Sequence, residues 1–122
     1  MRTALIVDDS AFMRNIVRKT IEQHFHVIAE GCDGREAISL YKQFLPDVVL
    51  LDLTMPHVDG LQALREIMKI NPLAKVVVFS AWGTKFTIME AIQLGAKDFI
   101  MKPHFEQLLP ALRKLFIEEK II

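Results

Sequence analysis

Residues 48–52 read Val-Val-Leu-Leu-Asp, a short apolar run that ends directly in a carboxylate. Similar runs occupy residues 4–7, 27–29, 76–79 and 99–101. Three of the five runs are rich in β-branched residues and do not alternate with polar ones, which is typical of strands buried on both faces of a parallel sheet. The chain therefore predicts five short strands, three of them buried on both faces.

Amphipathic segments separate these runs. The first covers residues 11–24 and places its apolar side chains on one face. The next two open at Asp33 and Asp59, each followed three residues later by Glu or Gln in a capping-box pattern. Pro46 ends the second segment and Asn71, before a proline, ends the third. These patterns predict three helices.

Two further helices are predicted near the end of the chain. One covers residues 84–94, buries Ile88, Ala91 and Ile92, and ends at Gly95. The other begins about one turn before Pro110, because proline is tolerated in the first turn of a helix. Five strand–helix units predict an α/β fold: a doubly wound five-stranded parallel sheet with the flavodoxin-like order 2-1-3-4-5 and five helices. Residues 1–122 are expected to form a single domain.

The composition narrows the class of protein. The 122 residues are 52% apolar and carry 15 basic and 15 acidic side chains, so the formal net charge is zero. A neutral chain lacks the basic footprint of a general nucleic-acid binder. No run approaches the roughly 18 apolar residues of a membrane span, so we expect no membrane insertion. The single cysteine, Cys32, favours a reducing cytoplasmic location, and we expect it to be a buried, unreactive thiol.

Polar side chains follow four of the predicted strands. Asp8 and Asp9 follow the first, Asp52 the third, Ser80 the fourth and Lys102 the fifth. Sheets of this type bind ligands beyond the carboxyl ends of their strands, so these groups are expected to share one crevice. Converging carboxylates repel one another, and a hard cation bound by oxygen ligands, such as Mg²⁺, relieves that repulsion.

Each of these residues alone has an ordinary explanation as a cap, a turn residue or a solvated side chain. Their joint placement at four strand ends of one sheet indicates phosphoryl chemistry instead. Asp52 is the candidate nucleophile that would form an acyl phosphate, and Asp8 and Asp9 are the candidate metal ligands. Lys102 and Ser80 would neutralise or hydrogen-bond the phosphoryl oxygens.

The segments that carry these residues resemble the receiver domain of bacterial two-component response regulators. The resemblance covers essentially the whole chain, in the family's order and spacing. It rests on Val7-Asp8-Asp9-Ser10, Asp52-Leu53-Thr54-Met55-Pro56 with Asp59-Gly60, Ser80-Ala81 and residues 95–103. No output domain follows in this sequence, so the likeness is expected to be closest to the stand-alone receivers of chemotaxis.

The resemblance implies specific roles at the strand ends. Asp52 would accept the phosphoryl group from a histidine kinase. Asp9, Asp52 and the backbone carbonyl of Thr54 would ligate Mg²⁺ directly, and Asp8 would act mainly through a bound water. Lys102 would contact the phosphoryl group, and the peptide bond that follows it, to a proline, is expected to be cis.

The resemblance also implies a switch and a partner surface. The Ser80 hydroxyl would move to the phosphate and the Phe99 ring would turn inward, which shifts the population of two states. Thr54 and Trp82 would control access of the hydrolytic water to the acyl phosphate. The surface of the fourth helix, fifth strand and fifth helix would bind the partner through Phe86, Phe99 and Phe105.

The expected function is that of a phospho-accepting response regulator and not of an enzyme. A monomer would take phosphate from a histidine kinase and bind a partner such as the flagellar motor switch, with a phosphatase as a further candidate partner. A single-domain phosphorelay intermediate is the alternative within the family.

Two other classes of protein are disfavoured by the residues after the first strand. An aspartyl-phosphate phosphatase has its nucleophile there in an Asp-x-Asp pattern, which Asp8-Asp9-Ser10 lacks. A flavodoxin-like nucleotide or flavin binder needs a Gly- or Ser/Thr-rich phosphate loop at this position. Without a metal, the acidic pair would repel a phosphate.

Overall fold

The computed structural model describes residues 1–55 and 57–117. Within them, five strands alternate with five α-helices. The strands are β1 (Thr3–Val7), β2 (His26–Gly31), β3 (Val48–Leu51), β4 (Val76–Ser80) and β5 (Asp98–Met101). The helices are α1 (Ala11–Ile21), α2 (Gly34–Phe44), α3 (Gly60–Ile70), α4 (Lys85–Leu94) and α5 (Leu108–Lys114), with a 3₁₀ turn at Phe105–Gln107 before α5.

All four strand pairings are parallel, in the order β2-β1-β3-β4-β5, which confirms the predicted fold class. The register aligns the carboxyl ends of the strands. Val7 is paired with Gly31 on one side and Leu51 on the other, and Ser80 is paired with Met101. The residues that follow these strands therefore emerge at one edge of the sheet.

The helices cover both faces of the sheet. Alternate strand residues point to opposite faces, so Leu5 and Val7 belong to a core cluster with residues of α2, α3 and α4, while Ala4 and Ile6 belong to a second cluster with residues of α1 and α5. All four are essentially inaccessible to water. Full burial of a valine, leucine or isoleucine side chain contributes about 1.5–3 kcal/mol, so the two cores dominate the stability.

Four of the helices have an N-cap side chain that accepts a hydrogen bond from a backbone amide of the first turn. The predicted caps are confirmed, since Asp33 accepts a hydrogen bond from the Glu36 amide and Asp59 accepts one from the Gln62 amide, each at 2.9 Å. The Glu36 carboxylate accepts from the Cys32 amide at 2.7 Å, one residue before the position a capping box uses. The other two caps are Ser10 and Thr84.

The end of α4 and the start of α5 lie where the sequence predicts them. Gly95 ends α4 with a φ of 119°, a left-handed conformation that glycine adopts without steric cost. Pro110 is the third residue of α5, in the first turn, where a missing N–H removes no helical hydrogen bond. α1 stops at Ile21, short of the predicted residue 24.

Two burial predictions were wrong. Ile92 is 46% exposed, because the buried line of α4 runs through Thr87 and Ala91. Cys32 is exposed, because it follows Gly31, the last residue of β2, and lies in the loop before α2. Among the described residues, no helix combines the length and apolar character that crossing a membrane requires.

Candidate functional site

Backbone hydrogen bonds continue the sheet for one residue past its strands and fix the candidate groups there. The Asp8 amide donates to the Gly31 carbonyl at 3.1 Å, the Asp52 amide to Val7 at 2.9 Å, and the Lys102 amide to Ser80 at 2.9 Å. The Lys102–Pro103 peptide bond is cis, as expected. The four strand ends thus bring the predicted residues into one crevice.

Three carboxylates meet in this crevice. Oxygen atoms of Asp8, Asp9 and Asp52 all lie within 4.8 Å of one another. Asp8 and Asp52 are buried, at 3% and 4% exposure, whereas Asp9 is exposed. A set of oxygen ligands that includes one solvent-facing carboxylate suits a hard cation that keeps part of its hydration shell, as Mg²⁺ does.

Lys102 supplies the balancing positive charge. Its Nζ donates to Asp8 Oδ2 at 2.7 Å and lies 3.5 Å from Asp52 Oδ2. The side chain is only 9% exposed and passes the Phe79 ring, with Nζ 5.8 Å from the ring centroid. Two buried carboxylates therefore share one ammonium group, which leaves a net negative site.

Burial raises the pKa of the Asp52 carboxyl, and the Asp8 carboxylate raises it further. Lys102 acts in the opposite direction, as do hydrogen bonds from the Ser80 hydroxyl and the Thr54 amide. The Thr54 amide lies 3.4 Å from Asp52 Oδ1. The Asp52 carboxylate is thus only partly compensated by protein groups, a condition that a bound divalent cation would relieve.

Ser80 and Phe99 occupy neighbouring strands near this carboxylate. Ser80 is fully buried, and its Oγ accepts from the Trp82 amide at 3.3 Å. Phe99 is half-buried, and its ring lies against Gly83, where an added Cβ would sit 2.8 Å from the ring. The ring therefore occupies the space that a side chain at position 83 would need, and its role in a switch stays a prediction.

The two residues predicted to control water access share one cavity. Thr54 and Trp82 line an open, mainly apolar cavity of about 410 Å³, together with Leu53, Met55, Asp59, Leu61 and Thr87. Trp82 is 59% exposed. Leu53, which directly follows Asp52 in the chain, is among the residues that line this cavity, so the cavity lies next to the loop that begins at the nucleophile.

The three phenylalanines of the predicted partner surface differ in accessibility. Phe86 on α4 is 83% exposed. Phe105 is half-buried, with its ring packed edge-on against Phe79 at a centroid distance of 5.2 Å. Phe86 is therefore the aromatic group most available to a partner, and the contact itself stays a prediction.

Arg14 at the crevice is a residue that the sequence patterns did not single out for function. Its Nη1 donates to the backbone carbonyl of Asp8 at 2.7 Å, and its Nε donates to Glu30 Oε1 at 3.2 Å. The position of Arg14 six residues after Asp8 is visible in the sequence. Arg14 lies in the first turn of α1, and its side chain extends back to the loop that follows β1. Only the structure shows this direction.

Comparisons with known proteins agree with this geometry. Residues 4–113 match the response regulator receiver domain. The chain is 48% identical to chemotaxis protein CheY of Thermotoga maritima over 84% of this chain and 86% of that protein. It is 46% identical to CheY of Listeria monocytogenes over 93% and 98%. A CheX–CheY complex with BeF₃ and Mg²⁺ from Borrelia burgdorferi superimposes with a TM-score of 0.91 at 34% identity, covering 95% of this chain and 90% of that one.

Proposed function

The chain belongs to the response regulator receiver domain family, and we propose that it accepts a phosphoryl group on Asp52 and acts as a phosphorylation-controlled regulator of chemotaxis. One observation carries the proposal. The Asp52 carboxylate is buried at the end of β3, beside an acidic pair with which it can hold a cation and 3.5 Å from a buried ammonium group. This arrangement matches the requirements of phosphoryl transfer to a carboxylate.

The proposed reaction begins at a phosphohistidine of a histidine kinase. An Asp52 carboxylate oxygen attacks phosphorus, the phosphorus–nitrogen bond breaks, and the imidazole leaves with its electron pair and takes up a proton from water. Asp8, Asp9, Asp52 and the Thr54 carbonyl would hold Mg²⁺, which neutralises charge on the phosphoryl oxygens. Lys102 and the Ser80 hydroxyl would contact the same oxygens once Lys102 turns from its carboxylate partners.

The proposed output is a change in the surface built by α4, β5 and α5. Movement of the Ser80 hydroxyl toward the phosphoryl group would open space for the Phe99 ring, and the altered surface with Phe86 would bind a partner such as the flagellar motor switch. The Borrelia relative forms a complex with CheX. By analogy, we propose an auxiliary protein such as a phosphatase for this chain. We propose that it works as a cytoplasmic monomer and carries out no multiple-turnover reaction.

Labelling with a radioactive small phosphodonor tests the acceptor. Wild type should incorporate label up to one phosphoryl group per chain in Mg²⁺ and little in EDTA. Asp52→Asn should incorporate none. Asp59→Asn is the matched control, because Asp59 is an exposed residue of the following loop and asparagine retains its capping role. Equal labelling of wild type and Asp52→Asn would contradict the proposal.

Two further measurements separate the alternatives. Steady-state hydrolysis of phosphate monoesters would indicate a phosphatase, whereas a receiver shows only stoichiometric labelling and slow loss to water. Transfer of the label from Asp52 to a histidine phosphotransfer protein would indicate a phosphorelay intermediate. Phosphorylation-dependent binding to a motor switch protein, weakened by Phe86→Ala, would support the chemotactic output.

A further inference from the structure

Every polar group of Asp8 has a hydrogen-bond partner. Its amide donates to Gly31, its Oδ1 accepts from the Ser10 amide at 3.0 Å, and its Oδ2 accepts from Lys102. The remaining group, the backbone carbonyl, accepts from Arg14 Nη1 at 2.7 Å. The contact with Gly31 is part of the sheet, the contact with Ser10 is within the loop, and the contact with Lys102 is within the candidate site. The fourth contact comes from the side chain of Arg14 on α1, which has no role in the proposed chemistry.

The Asp8 carbonyl belongs to the same planar peptide group as the Asp9 amide. A hydrogen bond that fixes this carbonyl therefore fixes the direction in which the backbone enters Asp9. The Asp9 carboxylate is exposed, and no hydrogen bond or ion pair to another described side chain holds it in residues 1–55 and 57–117. Its position in the carboxylate cluster consequently depends on the backbone.

Glu30 holds Arg14 in place. The Arg14 Nε and Glu30 Oε1 are 3.2 Å apart, and the two side chains are 19% and 21% exposed. Glu30 is paired in register with Ile6 on β1, so it lies on the sheet beside the strand that ends at the acidic pair. A second arginine, Arg18, contacts Glu30 but has no hydrogen bond to the loop among the described residues.

We propose that Arg14, clamped by Glu30, is a positioning residue that orients the Asp8–Asp9 peptide for divalent cation binding. This inference rests on the proposed function for its biological meaning. An alternative, in which Arg14 acts only through its charge, makes the opposite prediction. Loss of a cation near three carboxylates would strengthen binding of Mg²⁺ by removing repulsion, whereas loss of a positioning bond would weaken it.

The experiment titrates Mg²⁺ into the phosphate-free protein and follows fluorescence of Trp82, the single tryptophan of the chain. Arg14→Gln should weaken Mg²⁺ binding by about tenfold, the lower end of the effect of groups that orient metal ligands. Arg14→Lys, which keeps the charge and one donor, should recover part of the loss. Glu30→Gln should weaken binding less than Arg14→Gln. Arg18→Gln is the matched control and should change the dissociation constant less than twofold.

A second readout follows the loop directly. Hydrogen exchange of the Ser10 amide, measured by NMR without metal, should become severalfold faster in Arg14→Gln and stay unchanged in Arg18→Gln. Unchanged or tighter Mg²⁺ binding by Arg14→Gln would overturn the inference. If wild type itself binds no Mg²⁺, the proposed function fails. The role of Arg14 is then decided by hydrogen exchange of the Ser10 amide. Faster exchange in Arg14→Gln than in wild type supports positioning of the loop, and equal exchange in the two proteins overturns it.

Discussion

The Nζ atom of Lys102 lies 2.7 Å from Oδ2 of Asp8, and the two side chains are 9% and 4% exposed. This ion pair connects the end of β5 to the end of β1 within the candidate site. Both side chains are therefore largely removed from solvent. The pair is therefore part of the folded structure before any ligand binds, and its removal should lower the free energy of unfolding.

Replacement of Lys102 by methionine should destabilise the protein in EDTA by about 3 kcal/mol, because two buried carboxylates lose their common partner. Saturating Mg²⁺ should restore part of this loss by supplying positive charge. Urea unfolding followed by circular dichroism measures both effects. Lys97→Met, at an exposed lysine, should change stability by less than about 0.5 kcal/mol. A loss of similar size in both variants would argue against an electrostatic role for Lys102.

Asp52→Asn should be more stable than wild type in EDTA. The reason is that burial and the Asp8 carboxylate raise the pKa of Asp52, so ionisation of its carboxyl opposes folding at neutral pH. Mg²⁺ at ten times its dissociation constant should stabilise wild type by about 1.4 kcal/mol. Asp52→Asn, which lacks one ligand charge, should gain less. Chemical unfolding with and without Mg²⁺ tests this, and an equal gain in both proteins would count against Asp52 as a ligand.

Trp82→Ala should shorten the lifetime of the phosphorylated state severalfold. The indole lines the cavity beside the residue that follows Asp52, so its removal opens a path for the hydrolytic water. The loss of label after removal of the donor gives the rate. Phe86→Ala is the matched control, since it deletes an exposed aromatic ring of α4 that does not line this cavity. An unchanged or longer lifetime in Trp82→Ala would refute shielding.

Cys32 should react slowly with iodoacetamide at neutral pH although it is exposed. The carboxylate of Glu36 raises the pKa of the thiol, chiefly through a hydrogen bond with the side chain, so the reactive thiolate forms only at higher pH. In Glu36→Gln the pKa should fall, and the alkylation rate should rise at a pH below the pKa. Rate–pH profiles by mass spectrometry measure the midpoint. Glu22→Gln is the control, and identical midpoints in Glu36→Gln and wild type would contradict the assignment.

Much of the architecture was predictable from local patterns. Unbroken apolar runs such as residues 76–79 indicate burial on both faces, and Asp33 and Asp59 mark two helix starts in the sequence itself. Since parallel strands end at one edge, the placement of Asp52 and Lys102 after their strands was sufficient to predict that they converge.

Other features depend on how separate segments of the chain are arranged in space, which the identity of a single residue does not reveal. Asp8 and Asp9 are adjacent and chemically identical, yet Asp8 is buried and Asp9, where the chain bends, is exposed. The bond from Arg14 to the Asp8 carbonyl depends on how α1 leaves the sheet. Cys32 was expected to be a buried, unreactive thiol because the sequence shows no electropositive neighbour, and its true exposure follows from the end of β2 at Gly31.

The separation of Asp8 from Lys102 by 94 positions also bears on biosynthesis. A nascent chain that has emerged only as far as β4 already contains the three acids but lacks the lysine that balances them. β5 and the ammonium group that follows it are synthesised last among the parts of the site. The complete site therefore requires a chain that has been synthesised at least as far as Lys102.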